Sequence, residues 1–359
     1  MNRFENTRLW QNTLAVQSEP DPERQQRMKL RETFYSFRER AKMLAGEISR
    51  DLPDFTVHDI SHIDALWEMA ELVAGQDFVL TPPEAFVLGG AFLIHDLGMG
   101  VAAYPNGIEE LRKGELWNDT IFAEMKKNLK RAPTDDEIKN PNKEIEKSAT
   151  QSVLRDSHAK HAEKLALIKW KDSVNNAEEY HLIEDNDLRQ TYGRVIGLIA
   201  HSHWWPIEKL IDNLPTTLGA PGGFSNEWTV DPVKLACLLR ISDACHIDER
   251  RAPGFLRTIR KPDNDARKHW VFQENLYQPR LESDRLVYTS KNAFTTEENL
   301  SWWQCYEILQ MIDHELRNVD SLLTDTNRQR LAARGVSNVE EPKRLVKSIP
   351  TEGWEPVDT

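Results

Sequence analysis

The stretch AFVLGGAFLIHDLGMG, residues 85–100, decides the fold of this 359-residue chain. Its first ten residues are apolar or small, and Pro82 and Pro83, which are well tolerated in a first helical turn, come before them. The run is about half as long as a membrane span requires, so it predicts a helix buried in a protein core. An imidazole and a carboxylate, His95 and Asp96, end that helix. Burying these groups unpaired is costly, so both need a strong partner.

The composition describes a charged, water-facing chain with a substantial core. Hydrophobic residues make up 39% and charged residues 29% of the sequence, and the formal net charge is -12. An acidic average surface repels nucleic acid and anionic membranes, so we expect no membrane partner and no broad nucleic-acid binding. The three cysteines form no CxxC pair, which favours free thiols in a reducing compartment. Because the N-terminus has no apolar signal-peptide region, we expect a cytoplasmic location.

Apolar periodicity predicts helices along most of the chain. Pro53 ends one long charged helix and Gly75 ends the next. Thr295 or Thr296, with Glu298, would cap a long amphipathic helix near the C-terminus. The predicted helices cover residues 21–52, 58–75, the quoted stretch, about 150–170, 186–203, 231–247 and 295–325.

Two regions depart from this helical pattern. Residues 101–150 are polar and lysine-rich, and they predict an insertion of short helices and loops that would form a lid. Residues 269–290 alternate aromatic and β-branched residues with polar ones, which predicts a short antiparallel hairpin or three-stranded sheet. The polar tail from about 330 is expected to be partly extended. We therefore predict a mostly α-helical bundle with an N-terminal helical extension (1–50), a core (51–260) and a C-terminal β-hairpin plus helix extension (261–359).

Three apolar helices each deliver histidine or aspartate near one end, within residues 85–96, 193–203 and 234–245. A divalent metal is the simplest common partner for these side chains. Imidazole and carboxylate together suit manganese, iron, zinc or nickel, and magnesium is less favoured by nitrogen ligands. Such a metal lowers the pKa of bound water and polarises a phosphoryl oxygen. The candidate ligands are His58 or His62, which are four residues apart on one predicted helical face, with His95, Asp96 and Asp243.

The order of these residues resembles the HD superfamily of metal-dependent phosphohydrolases, through HDISHIDALW, FLIHDLG and LLRISDACHIDERR. More narrowly, the chain is similar to the HD-CE group. That resemblance also includes FTVHDISHIDALWEMA, GGAFLIHDLGMG, LLRISDACHIDERRAP and the tail RGVSNVEEPKRLVKSIPTEGWEPVD. It runs from about residue 50 to the end and is weakest across the 101–150 insertion. It implies an HD-domain helical bundle.

The resemblance implies that His62, His95, Asp96 and Asp243 bind one metal. His62 fits the first ligand better than His58, because Leu66 and Met69 follow it at helical spacing as in the family's pattern. Both histidines stay candidates, and a capping pair without metal is the competing interpretation of residues 95 and 96.

Histidines later in the chain are candidates for catalysis. His158 follows Arg155 in an R-x-x-H arrangement, and the resemblance implies that it protonates a leaving group or contacts phosphate. His161 is the alternative. His201 and His203 would point in different directions on a continuous helix, so only one is expected to face the site. A second metal would need one histidine from each pair. The predicted catalytic residues are thus His158, His161, Asp96 and His201.

Basic residues near these motifs are candidates for binding phosphate. Arg250 and Arg251 lie within two helical turns of Asp243 and could hold phosphate through charge-assisted forks. The competing interpretation pairs them with neighbouring acidic residues or with solvent. Arg155 and Lys160 complete the predicted substrate-binding set.

The resemblance implies hydrolysis of a phosphoester or phosphoanhydride. We favour a (deoxy)nucleoside triphosphate, because no GYP motif follows the later histidines and the acidic surface disfavours long nucleic acids. Such an enzyme would serve antiviral defence by draining nucleotides. The alternatives are a metal-dependent phosphodiesterase or nuclease, and a nucleotide-sensing regulatory module. HD-CE proteins often carry a GHKL-type ATPase, which nothing in this sequence resembles, so the resemblance implies either that this partner is a separate chain or that the module stands alone. Oligomers in the superfamily lead us to expect a homo-oligomer.

Overall fold

The structure, a computed structural model, describes residues 3–18, 20–171 and 178–357. Residue 358, the last of the quoted tail, lies outside these ranges. The described chain is mostly α-helical, as predicted, and short 3-10 helices cover Arg3–Asn6, Leu97–Met99, Val101–Ala103 and Thr296–Glu298. Its α-helices are α1 (Arg8–Gln11), α2 (Arg24–Asp51), α3 (Ile60–Ala74), α4 (Pro82–Ile94), α5 (Ile108–Arg112), α6 (Glu115–Leu129), α7 (Asp135–Lys139), α8 (Lys143–Leu165), α9 (Asn186–Ser202), α10 (Lys209–Asn213), α11 (Pro232–Cys245), α12 (Gly254–Arg260), α13 (Asn264–Asn275), α14 (Asn299–Asp325) and α15 (Pro342–Leu345).

Helix α4 is the centre of the bundle, and every one of its residues is buried. Thr81 and Glu84 form a capping box that satisfies backbone N–H groups at its start. It packs against α2, α3, α9 and α11. Gly89 allows the close approach, because a Cβ there would lie 2.5 Å from Phe34 and 2.6 Å from Trp67. The prediction of a buried helix that delivers His95 at its end is confirmed.

Short strands form four small sheets in the described part of the chain. The strands are β1 (Lys169–Lys171), β2 (Glu179–His181), β3 (Leu218–Gly219), β4 (Thr229–Val230), β5 (Arg280–Glu282), β6 (Arg285–Val287), β7 (Phe294–Thr295), β8 (Gly335–Val336) and β9 (Thr351–Glu352). The pairs β1–β2, β3–β4 and β5–β6 are antiparallel, whereas β8 joins β6 and β9 joins β7 in parallel. Because β8 and β9 belong to the tail, the tail is partly extended, as predicted.

The predicted antiparallel β element near 269–290 is confirmed as the hairpin β5–β6. It begins later than predicted, because residues up to Asn275 belong to α13. Asp263 caps that helix by accepting a hydrogen bond from the backbone of Ala266 at 2.8 Å, and the helix packs against α14. Trp270 and Phe272 are both fully buried, and because residues two apart lie on opposite sides of a helix, this end of α13 is buried on both sides.

The short helices predicted for the insertion and the cap predicted for the C-terminal helix are both present. The predicted insertion contains α5, α6, α7 and the start of α8, and Thr295 forms the expected capping box with Glu298. The three cysteines are free and buried.

One contiguous hydrophobic core draws on the N-terminal, central and C-terminal parts of the chain, so the domain boundaries stay a prediction. No helix among the described residues is both long and apolar enough to span a membrane.

Candidate metal centre

Three helices bring four polar side chains together at one end of α4. His62 lies in the first turn of α3, His95 follows the last residue of α4, and Asp243 lies in the last turn of α11. Because α11 packs against both α3 and α4, these ends converge. Candidate ligand atoms of His62, His95, Asp96 and Asp243 all lie within 4.8 Å of one another.

The imidazole nitrogens and carboxylate oxygens of this cluster lie close enough together to coordinate one ion. His95 Nε2 lies 3.1 Å from a carboxylate oxygen of Asp96 and 3.5 Å from one of Asp243, and His62 Nε2 lies 3.4 Å from the same Asp243 oxygen. His95 Nδ1 donates to the Phe92 carbonyl at 2.9 Å, which fixes the ring. Its Nε2 is buried, and its contacts with these two carboxylates lack hydrogen-bond geometry. Two imidazoles and two carboxylates could hold a divalent metal.

The electrostatics of the cluster favour a positive charge at its centre. Burial opposes protonation of His95, yet the carboxylates of Asp96 and Asp243 raise its pKa to about 10. Burial likewise opposes ionisation of both carboxyl groups, but His95 keeps their pKa well below the ordinary value. The field that draws a proton onto His95 equally favours a cation among the four side chains.

His58 lies beside the cluster but outside it. It comes before α3, whose cap is Asp59, so the expectation that His58 and His62 share a helical face is wrong. Its Nδ1 donates to the Thr56 carbonyl at 2.7 Å, and its Nε2 lies 4.0 Å from Asp96. Burial and then Arg251 lower its pKa to about 4. The geometry thus favours His62 as the first ligand.

A second group of side chains adjoins the first and shares Asp96. His158 Nε2 lies 3.5 Å from Asp96 Oδ1 and 3.4 Å from His203 Nε2. His158 Nδ1 donates to the Arg155 carbonyl at 2.5 Å, which directs Nε2 inward. The three side chains could themselves hold a metal. His158 thus lies beside the candidate metal centre, and its catalytic role stays a prediction.

A family model described as HD-CE matches residues 52–318 of this chain. The chain belongs to the HD-CE family. No curated protein and no solved structure matches it. Membership of the HD-CE family and the buried His/Asp cluster together indicate an HD-type metal-dependent hydrolase.

Two histidines predicted to be catalytic lie away from the centre of this HD-CE protein. His161 Nε2 donates to the Ala103 carbonyl at 3.0 Å, and its ring stacks on Tyr104. His201 pairs with Glu163 at 2.8 Å. Residues two apart point in different directions on a helix, and His203, the C-cap of α9 with helical dihedral angles, takes the inward position instead. The catalytic roles of His161 and His201 stay predictions.

The two adjacent arginines have different surroundings. Arg251 is directed at the centre, with Nη2 2.9 Å from His58 Nε2 and Nη1 2.7 Å from His62 Nε2. Arg250 instead makes a fork to Asp248 at 2.8 and 2.7 Å and reaches Glu68 at 2.6 Å. The carboxylates of Asp248 and Glu68 therefore occupy Arg250, and its phosphate-binding role stays a prediction.

A cavity of about 650 Å³ opens beside the cluster, with His58 and Arg251 in its wall. Arg155 also lines it and lies 5.9 Å from the ring centroid of Phe55. Lys160 is exposed and is not among the lining residues, and its role in substrate binding stays a prediction. The full lining is Leu52, Asp54, Phe55, Thr56, His58, Glu124, Lys127, Ser148, Gln151, Ser152, Arg155, Arg251, Asp263, Asp265, Ala266, His269 and Gln273.

Sequence reasoning missed two side chains at this site. Lys127 lies in the lysine-rich insertion, where nothing in the sequence separates one lysine from the next. His246 is buried, and its Nδ1 lies 2.8 Å from His62 Nδ1. Burial, and then Arg251, lower its pKa to about 3. Its position three residues after Asp243, the spacing of neighbours on a helix, could have revealed it.

Proposed function

We propose that this HD-CE protein is a metal-dependent phosphohydrolase whose substrate is a nucleotide, and in the first place a (deoxy)nucleoside triphosphate. The observation that carries the proposal is the adjacency of the His/Asp cluster and the cavity, which share His58 and Arg251 as their boundary. A volume of about 650 Å³ lies within the range of small-ligand sites. The cavity thus supports a substrate of nucleotide size that reaches the cluster with one end.

The four residues His62, His95, Asp96 and Asp243 would hold the cation, and manganese, iron, zinc and nickel suit this set better than magnesium. A divalent cation held there supplies Lewis-acid polarisation of a phosphoryl oxygen and acidifies water. The pair His158 and His203, with Asp96, would hold a second ion if the site is dinuclear.

The protein's own side chains would bind the substrate and move a proton. Arg251 and Arg155 carry guanidinium groups, which match phosphate oxygens as two-pronged donors, and Lys127 adds a further positive charge. His158 is neutral because burial lowers its pKa, and its Nδ1 proton is committed to a carbonyl. Its Nε2 therefore accepts a proton during attack and returns it to the leaving oxygen.

The charge of the cavity supports a small substrate over a polymer. Four carboxylates line it beside the basic residues: Asp54, Glu124, Asp263 and Asp265. Proteins that hold nucleic acid neutralise several successive phosphates with lysine and arginine. The mixed lining of this cavity offers no continuous basic track, which disfavours the nuclease alternative. Antiviral defence, a GHKL-type ATPase partner and a homo-oligomer stay predictions from the family resemblance.

The test is incubation with all eight ribo- and deoxyribonucleoside triphosphates and Mn²⁺ or Mg²⁺, with chromatographic separation of products. We expect nucleoside and intact triphosphate. The variants His95→Ala, Asp96→Ala and Asp243→Ala should each lose at least about 100-fold in rate, whereas His201→Ala serves as the control. Undiminished turnover in the three variants would contradict the mechanism. Nucleotide binding without turnover would support the regulatory module, and cleavage of oligonucleotides alone would support the nuclease.

A further inference from the structure

His246 is a buried residue in contact with His62, one of the candidate metal ligands. The residue follows α11 directly and is only 2% exposed. Its ring lies parallel to that of His62, with an interplanar angle of 2°, and the two Nδ1 atoms are 2.8 Å apart. At this distance one Nδ1 must donate a hydrogen bond and the other must accept it. The direction of that bond decides which nitrogen of His62 is free.

The surroundings of His246 Nε2 indicate which of the two Nδ1 atoms donates the hydrogen bond. Its Nε2 is buried, has no hydrogen-bond partner among the described residues and lies 3.9 Å from an oxygen of the fully buried Asp248. A proton on this Nε2 is favoured by the nearby carboxylate, whereas a lone pair there would face negative charge. His246 Nδ1 is then the acceptor. Arg251 Nη1 lies 2.5 Å from His62 Nδ1 and 2.7 Å from His62 Nε2, so it lies beside the ring and not along the hydrogen-bonding direction of either nitrogen.

The segment that carries His246 is tied to the helix that carries His62. Arg250 binds Asp248 and also Glu68, which lies on α3 six residues after His62. The backbone N–H of Val57 donates to the Arg251 carbonyl at 2.8 Å, which joins the same segment to the chain just before α3. These contacts of Arg250 and Val57 therefore fix the position of His246 relative to His62.

We propose that His246 is a positioning residue that accepts the Nδ1 proton of His62 and so keeps His62 Nε2 free to bind a metal ion. This inference rests on the metal site of the proposed function and names a residue that acts through one of its ligands. Side chains that orient a ligating histidine typically contribute about 10- to 100-fold to metal affinity.

The test compares two replacements of nearly equal size in the full-length protein. His246→Asn keeps an oxygen acceptor near the position of Nδ1, and His246→Leu removes it. Isothermal titration with Mn²⁺ should give a dissociation constant about 10- to 100-fold higher for the leucine variant, and within about threefold of wild type for the asparagine variant. Equal affinity in all three proteins, or equal losses in both variants, would overturn the proposal.

A second measurement covers the case in which the leucine variant does not fold. Nitrogen-15 NMR of the wild-type protein loaded with diamagnetic Zn²⁺ reports which nitrogen of His62 carries the proton. A proton on Nδ1 supports the proposal, and a proton on Nε2 overturns it. Absence of Mn²⁺ binding to wild type would overturn both this proposal and the metal site. Metal binding with the predicted tautomer but without nucleotide hydrolysis would overturn the proposed function alone.

Discussion

Replacing Gly98 with alanine tests whether α8 must lie directly against the backbone that follows Asp96. A Cβ on Gly98 would lie 2.6 Å from the carbonyl oxygen of His158 and 2.8 Å from its Cα, whereas ordinary contacts begin at 3.4 Å. Backbone atoms cannot rotate out of the way as a side chain can. The two segments must therefore separate by about 0.8 Å, the difference between 3.4 and 2.6 Å.

This separation should affect both stability and catalysis. Overpacking typically costs about 1–3 kcal/mol, and the upper half of that range is expected here because the obstacle is backbone. The distance of 3.5 Å between His158 Nε2 and Asp96 would also lengthen. A misplacement on the order of 1 Å can lower a rate by about 100-fold, so the Gly98→Ala variant should lose about 10- to 100-fold in turnover.

The assays are chemical denaturation and the initial rate of nucleotide hydrolysis, with Gly46→Ala as the matched control. Gly46 lies within α2, and a Cβ there would meet nothing within 4 Å. The same substitution should therefore stabilise the protein by up to about 1 kcal/mol through helix propensity. A Gly98→Ala variant that is as stable as Gly46→Ala, or that hydrolyses nucleotide at the wild-type rate, would refute this reasoning.

Three further predictions separate the roles of neighbouring side chains. His203→Ala should lower kcat at least about 10-fold, whereas His201→Ala should leave it near wild type, and the reverse result would contradict the inward position of His203. Arg250→Ala should destabilise the protein by about 3–5 kcal/mol in chemical denaturation, because it leaves the buried Asp248 without its ion pair; unchanged stability with weaker substrate binding would support the phosphate-binding role. Arg155→Ala should raise KM about 10-fold with little change in kcat, and an unchanged KM would remove this arginine from the substrate site.

Three of the four clustered side chains, His95, Asp96 and Asp243, could be predicted because they lie at the ends of apolar helices. A buried helix ends at a defined position in the core. Because α4 packs against α11, His95 after the last residue of α4 lies close to Asp243 in the last turn of α11. The family pattern adds His62. Periodicity alone could not place His58, because the capping residue Asp59 starts α3 one residue later.

The rest of the site depends on packing that sequence patterns do not record. Whether His201 or His203 faces inward depends on the rotation of α9 about its axis, which its packing against α4, α8 and α11 sets. One carboxylate that binds Arg250 belongs to Glu68, which is 182 residues away in the chain. Helix α13 resembles a strand in sequence because Trp270, Val271 and Phe272 are consecutive aromatic and β-branched residues, whereas its cap, Asp263, lies before the predicted strand region.

The central claim is that side chains from three helices bind one cation. Anomalous X-ray diffraction from crystals soaked in Mn²⁺ tests it most directly, because the ion and its ligands are then located together. We predict a single strong peak coordinated by His62, His95, Asp96 and Asp243, with a second peak beside His158 and His203 only if the site is dinuclear. An ion bound elsewhere, or one that lacks Asp243 as a ligand, would contradict the account.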